Sequence, residues 1–196
     1  MKLILARHAE THANKNRIFS GWTDYPLTDK GERQAARLAY ELKKNYNIDE
    51  MYSSPLDRAM STSKAISRSI ERDIITTDCL KEVNFGMFEG KTGIEIETHH
   101  GDHWKSWNDD FVNYRLPEGE NLIDLLSRIK PLIENLRKTD KVCLLVAHSA
   151  VIQVAITYLL DIDLKKMWNF QVKNCSYVEF ECSPDFAFIK QLWNME

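Results

Sequence analysis

Residues 3–11, Leu3-Ile4-Leu5-Ala6-Arg7-His8-Ala9-Glu10-Thr11, begin apolar and end charged. Four apolar residues in a row read as a strand buried on both faces, as the strands of a parallel sheet are. The Arg7-His8 pair then falls where that strand ends, and open α/β sheets keep their sites outside the carboxyl ends of their strands. A guanidinium beside an imidazole there suits an anion held by Arg7 and a nucleophile or acid-base group in His8. A second run repeats the pattern: Val142 to Ala147 is continuously apolar and stops at His148. If both runs are parallel strands, the two histidines can meet at one sheet edge although 140 residues separate them.

Between these runs strand-like and helical patterns alternate, the signature of α/β architecture. Thr28 precedes Ala35, Leu38, Ala39 and Leu42, which recur on one helix face, so a helix capped by Thr28 is expected. Ile48 to Tyr52 reads as a short strand ending in Ser53-Ser54-Pro55, and Pro55 suits the first turn of a helix carrying Arg58, Ala59, Thr62 and Ile66. Ile74 to Thr77 is another strand. Trp104, Trp107, Phe111 and Tyr114 fall at helical spacing and read as core rather than pocket. Leu122 to Leu136 is a long amphipathic helix in which Pro131 should force a kink or a break. A helix from about Val151 to Leu160 follows His148, and Ser176 to Glu181 with Ala187 to Leu192 close the chain as strands, in a hairpin around Pro184-Asp185. With no repeat, low-complexity tract or linker, a single domain over residues 1–196 is expected, with a short cap-like excursion around residues 83–120.

The bulk numbers narrow the function classes. A net charge of −3 gives no field that would draw nucleic acid or an acidic membrane, so an anionic substrate has to be met by locally placed cations. Leu3 to Ala6 is too short for a signal peptide, and no apolar run approaches the ~20 residues that span a bilayer. Cys79, Cys143, Cys175 and Cys182 form no C-x-x-C pair, which fits reduced thiols better than a disulfide framework. A cytoplasmic protein is the expectation, and nothing in the pattern sets an oligomeric state. His99 and His103 are four apart, but with no Glu in an H-E-x-x-H arrangement and no nearby Cys they read, with His100, as surface histidines rather than metal ligands.

The charged residues at predicted strand ends form a set. Arg58 starts the helix after one strand, and Glu82 follows the Ile74 strand by a short loop. Two arginines, two histidines and one carboxylate around one edge describe a phosphate site, in which a Glu82 kept protonated could give a proton to a leaving oxygen. Five blocks in order then resemble the histidine phosphatase, or phosphoglycerate mutase-like, superfamily over nearly the whole chain. They are Arg7 to Thr11 with Asn14, Ser20 to Thr28 with Gly31 and Gln34-Ala35, Ser53 to Ala59, Glu82 to Gly86 with Glu89-Gly90, and Val146 to Ser149.

The resemblance implies a three-layer α/β/α sandwich with a mostly parallel central sheet. It also implies a phosphohistidine formed on His8, with phosphoryl oxygens bound by Arg7, Arg58 and His148, a further hydrogen bond from Asn14, and Glu82 as proton donor. Ser20 and Gly21 are candidates for substrate contact. No metal and no other cofactor is implied, because Arg and His supply the charge that Mg²⁺ supplies in other phosphoryl-transfer sites. The sequence departs from the family at Ala9 and Ser149, where the family has glycine; a Cβ at Ala9 is costly if the backbone there needs a positive φ. Between Val83 and Glu118 the bases are Lys91, Lys105 and Arg115 against seven acids. That is a poor clamp for a bis-anion, so hydrolysis of a small phosphate ester is expected over mutase transfer. The short cap, the Trp104 and Trp107 segment, Pro117 to Asn121 and Trp168-Asn169-Phe170 look most like alpha-ribazole phosphatases of cobalamin biosynthesis. Phosphatases of phosphoserine or sugar phosphates, and mutases of the phosphoglycerate type, share the same blocks and stand as alternatives.

Overall fold

The computed structural model describes residues 1–194; Met195 and Glu196, the end of the expected 1–196 domain, lie outside the described residues. The first run is strand β1, Lys2–Arg7, and the second is β4, Val142–Ala147. They pair in parallel with Arg7 opposite Ala147. His8 and His148 are each one residue beyond that last pair, on strands that parallel pairing sets about 4.8 Å apart. The register alone therefore brings the two rings together.

The other elements are α1 (His12–Asn16), α2 (Asp29–Asn45), β2 (Glu50–Ser53), α3 (Asp57–Ile70), β3 (Ile74–Thr76), α4 (Gly93–His99), α5 (Gly101–Asp109), α6 (Leu122–Leu136), α7 (Ser149–Leu159), β5 (Tyr177–Cys182) and β6 (Ala187–Trp193). The strands form one sheet in the order β3-β2-β4-β1-β5-β6. β1, β2, β3 and β4 pair in parallel, and the closing hairpin β5-β6 adds antiparallel to β1.

Strand alternation makes the layers. Leu3, Leu5, Cys143 and Leu145 join the core under α6 and α7, whereas Ile4, Ala6, Leu144 and Val146 join the core under α2 and α3. Each buried Leu or Ile contributes roughly 1.5–3 kcal/mol. A one-residue register slip would turn every one of these side chains to the wrong layer, which fixes the strand ends and the histidines with them. The result is a mixed α/β fold with a mostly parallel central sheet.

Several local expectations need correction. Pro55 does not sit in the first turn of α3: Leu56 caps that helix and Asp57 begins it. Of the kink or break expected at Pro131, the break is absent: α6 runs through it. Pro131 lies on the exposed face, where the carbonyl it leaves without an N–H partner can bond water instead. The aromatic stripe is only half helical, because α5 stops at Asp109 and Phe111 and Tyr114 fall beyond it. Its reading as core holds for Trp104, Trp107 and Tyr114, which pack on Phe88, Ile96 and Leu116. His99 ends α4 while His103 lies in α5, so the two do not share a helix face. His99 is exposed, and half-buried His103 hydrogen-bonds the Tyr114 hydroxyl through Nδ1 at 2.6 Å. Among the described residues no helix is long and apolar enough to cross a membrane.

Candidate active site

Arg7, His8, Asn14, Arg58 and Glu82 all line one open cavity of about 210 Å³ at the carboxyl edge of the sheet. The fifth charged position, His148, is not on its wall. It is fully buried beside His8, with ring centroids 5.1 Å apart.

The hydrogen bonds assign the tautomer of His8. Its Nδ1 lies 2.8 Å from the Ala9 carbonyl, which can only accept, so Nδ1 carries the proton and Nε2 keeps the lone pair. The backbone of His8 is held from both sides: its N–H donates to Ala147 O, and its carbonyl accepts from Cys175 N–H and the Asn174 side chain. Burial pushes the imidazole pKa well below its ordinary value, with Arg58 and Arg7 pushing the same way, so the ring is neutral. His148 is held neutral by burial, then Arg58, then His8. Its Nε2 shares a hydrogen bond with Ser54 Oγ at 2.8 Å.

Glu82 accepts from Val83 N–H at 3.0 Å and Ala150 N–H at 3.3 Å. Burial nevertheless dominates and raises its pKa, against the lowering pull of those bonds and of Arg58 and Arg7. A carboxyl raised in this way keeps its proton to higher pH and can act as an acid. Burial also lowers the pKa of Arg7, and Glu82 offsets part of that.

Arg7 is only partly satisfied. Arg7 Nη1 donates to Val172 O at 2.7 Å, while its Nε is buried with no partner, as is Nδ1 of His148. Buried orphans of this kind at a site point to a ligand that satisfies them. Arg58, 1 % exposed, spends both terminal nitrogens on the loop from Ser20 to Asp24. Its Nε–H is the donor not used there. Asn14 Oδ1 accepts from Thr11 N–H and Oγ and from Asn174 Nδ2, which leaves its own amide N–H₂ for a ligand.

Ser20 and Gly21, the candidates for substrate contact, lie on the loop that holds Arg58. Ser20 borders the cavity, but its hydroxyl donates to Thr23 O, and both backbone carbonyls accept from Arg58. Their carbonyls hold the arginine. Sequence reasoning missed Asn174, which joins Asn14 to the His8 carbonyl from 160 residues away and carries no local signal. It also missed Arg17, an exposed cation on the cavity rim that was legible as a base three residues past Asn14.

The doubt attached to Ala9 resolves in the backbone. The non-glycine residues with positive φ, among those described, are Arg17, Glu71, Glu118, Asp161 and Cys175, so Ala9 is not strained. It is fully buried, and its N–H donates to Thr62 Oγ1 at 3.0 Å. Ser149 is the first residue of α7 and adopts ordinary helical geometry. Ala9→Gly is expected to change kcat/KM by less than about twofold and to cost about 0.4–1 kcal/mol through the freer unfolded chain, measured by denaturant melts.

The sequence pattern of the family described as "Histidine phosphatase superfamily (branch 1)" matches residues 3–195. Phosphoserine phosphatase 1 of Hydrogenobacter thermophilus is 31% identical over 179 residues, which covers 90% of this chain and 84% of that protein. A probable phosphoglycerate mutase of Escherichia coli O9:H4 is also 31% identical, over 90% of this chain and 82% of its own length. The crystal structure of a putative alpha-ribazole-5'-P phosphatase from Escherichia coli K-12 superposes with a TM-score of 0.92 at 26% identity, covering 99% of this chain and 96% of that one.

Proposed function

This chain belongs to the histidine phosphatase superfamily, and from that premise we propose that it hydrolyses a small phosphate monoester without a metal, through a phosphohistidine on His8. One observation carries the reading: His8 is locked with Nδ1–H on the Ala9 carbonyl, so its free Nε2 stands on a cavity that also holds Arg7, Arg58 and a carboxyl with a raised pKa. Nε2 attacks phosphorus and the P–O bond to the leaving group breaks. Glu82 gives its proton to the departing alkoxide, becoming the carboxylate. It then takes a proton from water as that water attacks phosphorus and the P–N bond breaks, which releases phosphate, returns the electron pair to Nε2 and restores the acid. Arg7, the Arg58 Nε–H and the Asn14 amide supply donors for the phosphoryl oxygens. His148 packs on the ring of His8 from behind the cavity wall.

Hydrolysis rather than transfer to a bound product fits the state of the cap, which we read as residues 83–120. Two of its three bases are occupied, Arg115 by an ion pair with Asp124 at 2.6 Å and Lys91 by the Met87 carbonyl at 2.7 Å, which leaves exposed Lys105 against the seven acids between Val83 and Glu118.

Two leaving groups are each favoured by an observation. Phe85 borders the phosphate cavity and also an apolar recess of about 20 Å³ lined by Trp107, Phe111 and Trp168; that volume does not take a ring, so what favours a heteroaromatic group such as the base of alpha-ribazole 5′-phosphate is stacking on the aromatic rim. Arg17 on the rim favours a carboxylate-bearing ester such as phosphoserine. Comparison of kcat/KM for alpha-ribazole 5′-phosphate, phosphoserine, 3-phosphoglycerate and a sugar phosphate separates them. If a carboxylate is read, Arg17→Ala lowers kcat/KM for that ester about tenfold and for p-nitrophenyl phosphate less than about twofold. Equal losses on both, or none, remove Arg17 from specificity and leave the aromatic rim as the reader.

A further inference from the structure

The half-buried carboxylate of Glu89 collects four backbone N–H groups: those of Trp22 and Phe85 on Oε1, at 2.9 and 3.0 Å, and those of Gly21 and Thr23 on Oε2, both at 3.1 Å. The carbonyls of the same segment turn the other way. Ser20 O and Gly21 O accept from Arg58 Nη2, and Thr23 O accepts from Nη1.

Two peptide planes therefore bridge Glu89 to Arg58. In the unit joining Ser20 to Gly21, the N–H donates to Glu89 and the C=O accepts from Arg58. The unit joining Gly21 to Trp22 does the same. A trans peptide is planar, with its N–H and C=O antiparallel, so each unit is a rigid spacer with its dipole aligned between an anion and a cation. The packing leaves no slack: a Cβ added at Gly21 would lie 2.2 Å from Val83 O and 2.3 Å from Glu89 Oε1. The fourth N–H, from Phe85, and the bond from Trp22 Nε1 to Glu82 O at 3.0 Å tie the same assembly to the loop that carries the acid.

We propose that Glu89 is a positioning residue that acts through these two peptide units to set the Arg58 guanidinium, and through Phe85 to fix its distance from Glu82. The proposal rests on the reading of Arg58 as a phosphoryl ligand. The test is a double-mutant cycle of Glu89→Gln and Arg58→Ala, read by kcat/KM for p-nitrophenyl phosphate, by vanadate inhibition and by melting temperature. A carboxamide has one acceptor oxygen for four donors, so the loop carbonyls shift. Displacement by about 1 Å at a phosphoryl ligand predicts a loss of ~10²-fold in kcat/KM, with a weaker vanadate constant. In the Arg58→Ala background the same substitution should cost less than about twofold, because the group it positions is gone. If Glu89→Gln does not fold, the same cycle run with Glu89→Asp decides. Equal losses in both backgrounds, or an unchanged vanadate constant in a folded variant, overturn the role of Glu89. An Arg58→Ala enzyme of normal activity overturns the reading of Arg58 instead.

Discussion

His8→Ala is expected to abolish turnover, with kcat/KM for p-nitrophenyl phosphate falling by about 10⁴–10⁶, the scale on which enzymes lose rate when a covalent nucleophile is removed. The size follows from the geometry. Among the described residues no other nitrogen nucleophile lines the cavity: the remaining nitrogen side chains there are the guanidinium groups of Arg7, Arg17 and Arg58 and the amide of Asn14, which have no lone pair to give, and His148 is off its wall and shares Nε2 with Ser54. Loss of the ring also leaves the Ala9 carbonyl without its donor, so melting temperature should be compared alongside the rate. A folded His8→Ala protein that keeps more than about a hundredth of the rate would remove His8 as the nucleophile.

Glu82→Gln should give the second largest effect, and the effect should depend on the leaving group. An alkoxide needs a proton as it leaves, whereas p-nitrophenolate is stable without one. In single-turnover measurements of the first step, the loss is expected to be about 10²–10⁴-fold for an alkyl phosphate and under about tenfold for p-nitrophenyl phosphate. The pH profile gives an independent reading. The active form of Glu82 is the protonated one, and burial raises its pKa above the ordinary 4.5. Wild-type kcat/KM for the alkyl phosphate should therefore be full below that raised pKa and fall as pH rises through it, and the variant should lack this limb. His8 sets the opposite limb. Its pKa is lowered well below 6.5, so the neutral nucleophile persists to acidic pH and is lost only as pH falls through that lowered value. An equal loss on both esters, with the alkaline limb intact, would assign the acid to another group.

What could be read in the chain divides along physical lines. The two strand ends were legible because a buried parallel strand is a run of adjacent apolar residues, and the charge that stops it is the next letter. Arg7, His8, Arg58 and Glu82 on one cavity follow from that, since each lies within a few residues of a strand. His148 was placed at the right edge, but whether its ring faces the cavity or packs on a neighbour is decided by side chains far off in sequence. Ala9 illustrates the opposite error. The family pattern suggests glycine for its backbone freedom, but the chain needs no positive φ there; a small side chain suffices. Most of the clamp on Arg58 was invisible, because beside the Asp24 carboxylate at 2.7 Å it is made of carbonyls from Ser20, Gly21 and Thr23, which every residue has. The Glu89 carboxylate on the N–H groups of those same peptides is its other half.

The central claim is a covalent phosphohistidine, and trapping it is the most direct measurement. Enzyme mixed with phosphorus-labelled ester, quenched within one turnover in alkali and digested with trypsin, should carry label on the peptide His8–Lys15. That peptide also contains His12, which is exposed and off the cavity wall, so fragmentation has to place the phosphoryl group on His8. The account predicts a bond that survives alkali, is lost in acid, and is absent from His8→Ala. Label on His12, a bond that survives acid, or turnover with no labelled protein at any quench time would contradict it.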